Sequence, residues 1–535
     1  MRFLPVNIDA FIVELNSLEQ TMALTDVLQG VIADWHIKEI IPAARTLLIR
    51  YNPIVTNANI LAKQIAQLDI SATVMQSGEL VTIPVCYNGE DLPQVADYLG
   101  ITVAEVIARH TDNEYQVAFC GFAPGFAYMV SKTAQLNVPR RNSPRVRIPA
   151  GSVALAGEFS SVYPQASPGG WQLIGITDTA VWDIYRDEPA LFKPGTRVHF
   201  IDVSQLKTTY HLPAHLSAAK KQEDLVEQQD ITVLTTGLQT LFQDNGRIGQ
   251  AALGISESGA MDKSALHSAN RVLGNSVNEP ALEITQGGFS AQINRSMLVA
   301  VTGAVCDITI TTAQGETYTS SMYRPIQLEV GDIIRLGNVK CGVRSYLAVR
   351  GGFQVSPILT SCAYDTLAQV GPLPLKAGQT LAIKQTNALR SISLTETSAI
   401  DYPTSEDVVV LDIVLGPRTD WFTQQAIALL TSQLWQVTPA SNRIGLRLSG
   451  EQPLSREKHQ ELPSEGTCIG AIQIPANGQP VLFLNDHPLT GGYPVIGAVC
   501  NYHLDLAGQI PVNAKIKFNP IGIFKEFEGS DVDHV

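Results

Sequence analysis

The spacing of apolar residues changes twice within the first eighty positions. Residues 8–15 (IDAFIVEL) and 46–51 (TLLIRY) read as strands, whereas 18–34 and 57–68 carry apolar side chains at helical intervals. Together these segments predict a small α+β unit. A further strand, LVTIPVC at 80–86, precedes two short helical segments. In the second of these, Thr102 and Glu105 have the S/T-x-x-E spacing of a helix that caps its own first turn, and the pattern closes near His110. From 115 to about 203 the text becomes short strands broken by Gly and Pro, which predicts a β-barrel or sandwich.

Periodicity is lost between 206 and 230, where the chain is polar and charged (KTTYHLPAHLSAAKKQEDLVEQQD), and this segment reads as a linker. Beyond it β-type text resumes with few helices, one at 262–273 with Asp262 as N-cap and Gly274 as its stop, another at 420–430. The expected organisation is an α+β domain at 1–80, a barrel at 81–205, the linker at 206–230, a first barrel-type domain at 231–398 and a second barrel at 399–535. An internal echo points to related halves: Ile148-Pro149-Ala150 is followed by Gly169-Gly170-Trp171-Gln172-Leu173-Ile174-Gly175, and Ile474-Pro475-Ala476 by Gly491-Gly492-Tyr493-Pro494-Val495-Ile496-Gly497. Short matches of common loop residues also arise by chance. If the halves are kindred barrels paired about a pseudo-twofold axis, equivalent loops meet in one cleft.

Length and composition narrow the picture. A chain of 535 residues exceeds a single hydrophobic core, and 45% hydrophobic with 16% charged residues excludes extensive disorder. Lys plus Arg number 37 against 50 Asp plus Glu, and a net charge of −13 repels a phosphate backbone, so nucleic acid is not an expected partner. The amino terminus meets Asp9 and Glu14 before a signal-peptide core forms, and the richest apolar stretch, 297–305, falls short of the ~18 residues that cross a bilayer. A cytoplasmic protein with no membrane partner is expected. Seven scattered cysteines without a CxxC pair read as reduced, buried thiols and not as a disulfide framework or zinc ribbon.

Special residues concentrate in GFAPGFAYM at 121–129, followed by Arg140 and Arg145. The glycines let backbone approach a ligand, Pro124 fixes a turn, the aromatics offer flat faces, and the arginines suit a carboxylate or phosphate; a tight barrel turn with core aromatics and solvated arginines explains the same residues. The loop at 164–171 (PQASPGGW) has the same character. In the second half, Gln243, Asp244 and Arg247 lie close in sequence to Ser258, Gly259 and Asp262, where a helix start is either an anion cradle or simply self-capped. No GxxxxGK[ST], GxGxxG after a strand, GxSxG or HExxH occurs. His211 and His215 have metal-compatible spacing but lack further ligands, so no metal site is expected. His110, at a helix end, reads as a C-cap before it reads as a base.

These motifs carry a resemblance. PVCYNGEDLPQVADYLG, His110, GFAPGFAYM, PRRNSPRVRIPAGSVALAG and YPQASPGGWQLIG resemble the B subunit of 5-oxoprolinase, the allophanate-hydrolase subunit 1-like family, over most of residues 5–205. GLQTLFQDNGRIGQAALGISESGAMDKSALHSANRVLGN, ALEIT, RSYLAVRGGF, SNRIGLRLSG and GAIQIPANGQPVLFLNDHPLTGGYP resemble its C subunit, the allophanate-hydrolase subunit 2-like or biotin-dependent carboxyltransferase-like family, from about 231 onward. The resemblance implies a mainly β protein with cyclophilin-like barrels in both halves plus a small amino-terminal α+β domain. It also implies a natural B–C fusion, a separate A subunit, and ATP-dependent opening of 5-oxoproline to glutamate, with Mg2+ accompanying the ATP. A homo-oligomer is compatible with it.

Phosphorylating the oxygen of a resonance-stabilised lactam carbonyl would make it a leaving group before water attacks. On this reading Arg140, Arg145 and Arg247 are candidates for charge stabilisation, and Asp244 and Asp262 for Mg2+ or proton handling. Candidates for holding the ring are His110, Phe122, Pro124, Gly125, Phe126, Tyr128, Gly169, Gly170, Trp171, Gln243, Ser258, Gly259, Gln473, Asp486, Gly491, Gly492 and Tyr493. The chain departs from the C-subunit pattern at 360–374 and at Pro511-Val512. Two alternatives stand beside it: a biotin-dependent carboxyltransferase acting on urea or a related amide, although the chain has no biotin-accepting MKM, and a regulator that binds a sensor histidine kinase.

Overall fold

Both faces of the first sheet are buried, which is why its strands are apolar at successive positions and not at alternate ones. Strands Arg2–Asn7, Ala10–Glu14, Thr46–Tyr51 and Ile37–Pro42 lie antiparallel in that order. Phe11, Val13, Leu47 and Ile49 pack with Leu24, Leu28, Leu61 and Ile65 of helices Leu18–Gln29 and Ala58–Ala66. The intervening Leu4, Val6, Ile12 and Leu48 pack instead on Ala471, Phe483 and Val495, far along the chain. The expected strand at 8–15 is thus the second arm of a hairpin, and 37–42, whose Lys38 and Glu39 interrupt the apolar run, is a strand the periodicity did not reveal. Ser17, Asn57, Thr102 and Asp262 each cap a helix by accepting a backbone N–H. Glu105 does not reach back to complete a capping box; it pairs with Arg109 at 2.6 Å.

The computed structural model describes residues 1–70, 78–141, 143, 145–204, 229–385 and 390–529; nearly all of the expected linker, with His211 and His215, lies outside them. Two seven-stranded barrels share one topology. The first uses Leu80–Val85, Glu114–Cys120, Ala127–Val130, Ser152–Ala156, Phe159–Val162, Gln172–Ile176 and Arg197–Asp202; the second uses Val408–Leu415, Trp435–Val437, Gly445–Ser449, Ala471–Gln473, Val481–Phe483, Val495–Val499 and Lys515–Pro520. In each, the last strand lies parallel to the first and antiparallel to the second, the third pairs with the fifth, and the fourth sits between the fifth and sixth. The second barrel closes through Ile413↔Val499 and its neighbours, whereas the first nearly closes, through a single bridge between Cys86 and Ile176.

Each barrel also projects a two-stranded arm, Arg145–Ile148 with Ser167–Gly169 and Glu465–Gly466 with Thr490–Gly491. The two Gly-Gly-aromatic runs therefore hold equivalent places, between arm and sixth strand. The two Ile-Pro-Ala runs do not: Ile148 precedes the fourth strand of its barrel and Ile474 follows it, so that half of the echo is coincidental.

Between the barrels in sequence lies a nine-stranded sheet built around the long curved hairpin Met297–Thr311 and Ile333–Val349, on which the helix Lys263–Leu273 packs through Ala265, Leu266 and Ala269. The molecule is mainly β with a small α+β part, and among the described residues no helix is long and apolar enough to cross a membrane.

Candidate functional site

The GFAPGF turn is shaped by contact with the other half of the chain. Gly121 packs so closely that a Cβ would fall 2.6 Å from Thr490 Oγ1, and the Phe122 N–H donates to that oxygen at 3.1 Å. The Gly125 N–H donates to the Leu253 carbonyl at 2.9 Å. With Phe122 and Gly125 at φ +65° and +72°, the turn sends Phe126 and Tyr128 inward. There Phe126 meets Trp171 edge-on at 5.3 Å and Tyr163 at 5.1 Å, and Tyr128 meets Trp171 at 5.6 Å. Edge-to-face rings of this kind form a rigid apolar floor.

Over this floor the rims of the two barrels enclose a cavity of about 230 Å³. The first barrel supplies Phe122, Phe126, Tyr128, Arg140, Tyr163, Gly169, Gly170 and Trp171; the second supplies Ser464, Gln473, Pro488, Thr490, Gly491, Gly492 and Tyr493. Both Gly-Gly-aromatic runs thus line one space. Gly169 lacks room for a side chain, since a Cβ would lie 2.4 Å from Tyr163 Oη, whereas at Gly491 one would lie 2.7 Å from Gln473 Nε2, the movable end of that side chain. Arg140 reaches across, pairing through Nε with Glu461 at 3.0 Å while one terminal nitrogen passes over Gly492. Burial pushes the Tyr163 phenol up, so it is present as a neutral hydroxyl. Among the described residues no carboxylate and no histidine lines the cavity. Its equipment among the described residues is a flat apolar floor, one guanidinium, hydroxyl and amide groups and glycine backbone, which suits a small ring with an anionic substituent.

The remaining expected residues lie elsewhere. Arg145 binds Asp91 at 2.8 Å and Glu90 at 2.6 Å, fastening the first arm to a helix start. His110 is fully buried inside the first barrel between Tyr87 Oη at 2.6 Å and Ser160 Oγ at 2.8 Å, and burial depresses its pKa to about 3. It is neither a C-cap nor a group facing the cavity. Pro124 is not among the lining residues, and Gly125 turns its back to Trp182.

Gln243, Asp244 and Arg247 support the segment at 361–368, one of the departures from the C-subunit pattern. Asp244 accepts from Ser361 Oγ at 2.6 Å and from the Cys362 N–H at 2.7 Å, Gln243 donates to the Tyr364 carbonyl, and Arg247 donates to the Ala363 carbonyl. Ala368 and Val370 then pack with Ile255, Trp182 and Ile184, so this segment is a joint between the halves. Ser258 donates to Asp486 at 2.6 Å, and Arg443 binds Asp486 at 2.9 Å, Glu283, and the Gly259 carbonyl at 2.7 Å. Asp262 caps its helix and accepts from Gln509 and Tyr402; burial, then the charge of Asp505, raises its carboxyl to about 7.

Tyr163, Ser464, Pro488 and Thr490 line the cavity without having been singled out. Tyr163 and Thr490 directly precede or border the two glycine loops, which was a usable signal; Ser464 lies in unmarked text.

Comparison with known proteins bears on this arrangement. The carboxyltransferase domain, subdomains C and D, matches residues 1–192, and the carboxyltransferase domain, subdomains A and B, matches residues 253–520. The C subunit of Escherichia coli 5-oxoprolinase is 34% identical over 291 residues, 54% of this chain and 90% of that protein. The B subunit of the Bacillus subtilis enzyme is 45% identical over 129 residues, 24% of this chain and 54% of that one. Urea amidolyase of Saccharomyces cerevisiae is 29% identical over 313 residues, 55% of this chain and 17% of that one. The crystal structure of TTHA0988 superposes with a TM-score of 0.80 at 30% identity, covering 95% of this chain and 99% of that one. With both domain pairs present in one polypeptide and the C subunit matched over nine-tenths of its length, the chain belongs to the carboxyltransferase-domain family that includes the B and C subunits of 5-oxoprolinase.

Proposed function

We propose that this chain is the fused B and C component of an ATP-dependent 5-oxoprolinase, and that the cavity between the barrels holds 5-oxoproline for activation and ring opening together with a separate A subunit. The observation that carries the reading is the convergence of the two Gly-Gly-aromatic loops and Arg140 on one small aromatic-floored space. A five-membered lactam is flat and compact enough to lie on Phe126 and Trp171, and its carboxylate is a bidentate partner for Arg140. Binding would exchange the half-exposed Arg140–Glu461 pair for a charge-assisted contact in a drier setting, where it is worth more.

The absence of a carboxylate or histidine from the described lining supports assigning water attack to the A subunit. At about 230 Å³ and without an acidic ligand among the described lining residues, the cavity fits the lactam and does not fit a whole nucleotide with Mg2+, so the phosphoryl donor is held outside it and meets the lactam oxygen at the cavity's opening. Mixing the purified chain with a cognate A subunit, ATP, Mg2+ and 5-oxoproline is expected to yield glutamate and ADP, with neither formed when a protein is omitted. A folded, complete mixture that forms no glutamate would overturn the reading.

The family match to a carboxyltransferase domain favours one second reading, carboxyl transfer from a biotin carrier on another protein to urea or a related amide. Incubation with carboxybiotin and urea decides between them: consumption of carboxybiotin dependent on the acceptor supports transfer, and none supports the lactam.

A further inference from the structure

Away from the barrel cleft, a second cavity of about 290 Å³ forms where the hairpin turn at Asn7–Asp9, the start of the helix Lys263–Leu273 and the segment after Val495–Val499 converge. It shares no lining residue with the cleft. Most charges in its wall are already matched. Arg50 lies 3.3 Å from Glu39 and 3.1 Å from Glu257, Lys263 Nζ lies 2.7 Å from Glu257, and Asp505 accepts the backbone N–H groups of Lys263 and Ser264 at 2.9 and 3.1 Å. Burial opposes the charge on Glu257, yet Lys263 and Arg50 outweigh it and hold that carboxyl down at about 2.

Two groups are unmatched. Asp9 is 6% exposed, and among the described residues its carboxylate has neither a hydrogen bond nor an ion pair, although its charge acts on Arg50 from farther off. Lys38, exposed where the cavity opens, likewise has no ion pair among the described residues. The Asp9 oxygens are open to the cavity and not sealed from it, so their lone pairs face whatever fills that space, and a cation beyond contact distance does not satisfy them. One unmatched anion inside and one unmatched cation at the opening complement a molecule that carries an ammonium and a carboxylate close together. The volume lies below the ~300–1,000 Å³ of drug-sized pockets, which suits a small metabolite and not a nucleotide.

We propose that this cavity is a second binding site, for a free α-amino acid, whose ammonium meets Asp9 and whose carboxylate turns toward Lys38. Asn501 lies in the same wall, while the amide N–H groups of Asn7 and Asn485 donate to the Val499 and Ala260 carbonyls and hold the wall in place. Because the wall combines the amino-terminal sheet, the helix start and the carboxy-terminal barrel, an occupant ties three parts of the fold together and stabilises the chain by linkage.

The test uses the full chain alone, without nucleotide or a second protein, so its outcome is independent of the 5-oxoprolinase reading. Glycine, L-alanine and L-glutamate are titrated while the thermal unfolding midpoint and the heat of binding are followed, with acetate and glutarate as probes that lack the ammonium. At least one amino acid is expected to raise the midpoint saturably, and the two carboxylates to leave it unchanged. Asp9→Asn is expected to weaken binding at least about tenfold. Lys38→Glu, at an exposed position that leaves folding intact, should weaken it as well, whereas Arg140→Ala in the cleft should not. Absence of saturable binding by any amino acid, equal binding of glutarate, or binding indifferent to Lys38→Glu would each overturn the proposal; loss in Arg140→Ala alone would move the ligand to the cleft and overturn it too.

Discussion

Gly175 and Gly497 hold the same position in the two barrels, on the sixth strand where it meets the first: a Cβ at Gly175 would lie 2.7 Å from the Cys86 carbonyl oxygen, and one at Gly497 2.8 Å from that of Val414. In both cases the obstacle is backbone, which cannot turn aside as a side chain can. The Ile-Gly dipeptide common to the halves is therefore the seam at which each sheet curls back on itself. Gly497→Ala is expected to lower the unfolding midpoint of the carboxy-terminal barrel, corresponding to ~1–3 kcal/mol of overpacking. An unchanged denaturation curve would show that the seam has slack.

Arg140 is the one guanidinium among the described residues of the cleft, and its partner Glu461 is exposed. Surface pairs contribute ~0–1 kcal/mol, so Arg140→Ala should barely change stability. It should raise KM for 5-oxoproline by about 10- to 100-fold, the worth of a charge-assisted contact, with Arg140→Lys intermediate because an ammonium cannot bind bidentately. Steady-state kinetics in the complete mixture, beside a melting curve, separate the two effects.

Arg443 is the opposite case. It is buried against Asp486 and Glu283, tying the nine-stranded sheet to the second barrel. Arg443→Met would leave Asp486 without its ion-pair partner and Glu283 with Arg344 alone, 3.6 Å away, and is expected to cost ~3–5 kcal/mol, whereas also replacing Asp486 by Asn should recover part of the loss. Urea denaturation of the single and double variants tests this.

Two buried groups titrate in opposite directions. His110 falls to about 3 in the folded chain, against about 6.5 unfolded. Between those values only the unfolded chain binds the proton, so stability is full above about pH 6.5 and declines by roughly 1.4 kcal/mol per unit as the pH falls toward about 3. Asp262 rises to about 7, against about 3.9 unfolded; there the folded chain keeps the proton, and stability declines as the pH rises from about 4 to about 7. Measured at about pH 7 and again at about pH 5, the stability gap between wild type and His110→Gln should narrow by roughly 2 kcal/mol, and that for Asp262→Asn should widen. Movement of either gap in the other direction would contradict the assigned burial.

The glycine loops were legible as ligand-facing text because they pair small residues with an aromatic at an irregular spacing, and two copies of one pattern reinforced each other. Arg145, Asp244, Asp262, Ser258 and Asp486 drew attention for the same chemical reason, being charged or polar beside glycine turns. They turn out to fasten arms, joints and helix ends. Nothing local separates the two uses, since a carboxylate that caps a loop and one that faces a ligand sit in similar sequence. His110 misled through its place at a helix end, because the side chain points into the barrel, among Tyr87, Tyr115 and Phe200.

By itself the sequence determined the elements and the class of fold: apolar period, caps and turn residues act over a few positions, and they yielded a β-rich chain with a small α+β beginning. Only tertiary structure decided that the amino-terminal sheet packs its second face on the last barrel, and that Thr490 fits into the space left by Gly121. Such contacts join residues hundreds of positions apart, through complementary surfaces that no local period encodes. The cleft, the Asp244 joint and the Asp9 cavity all belong to that second kind.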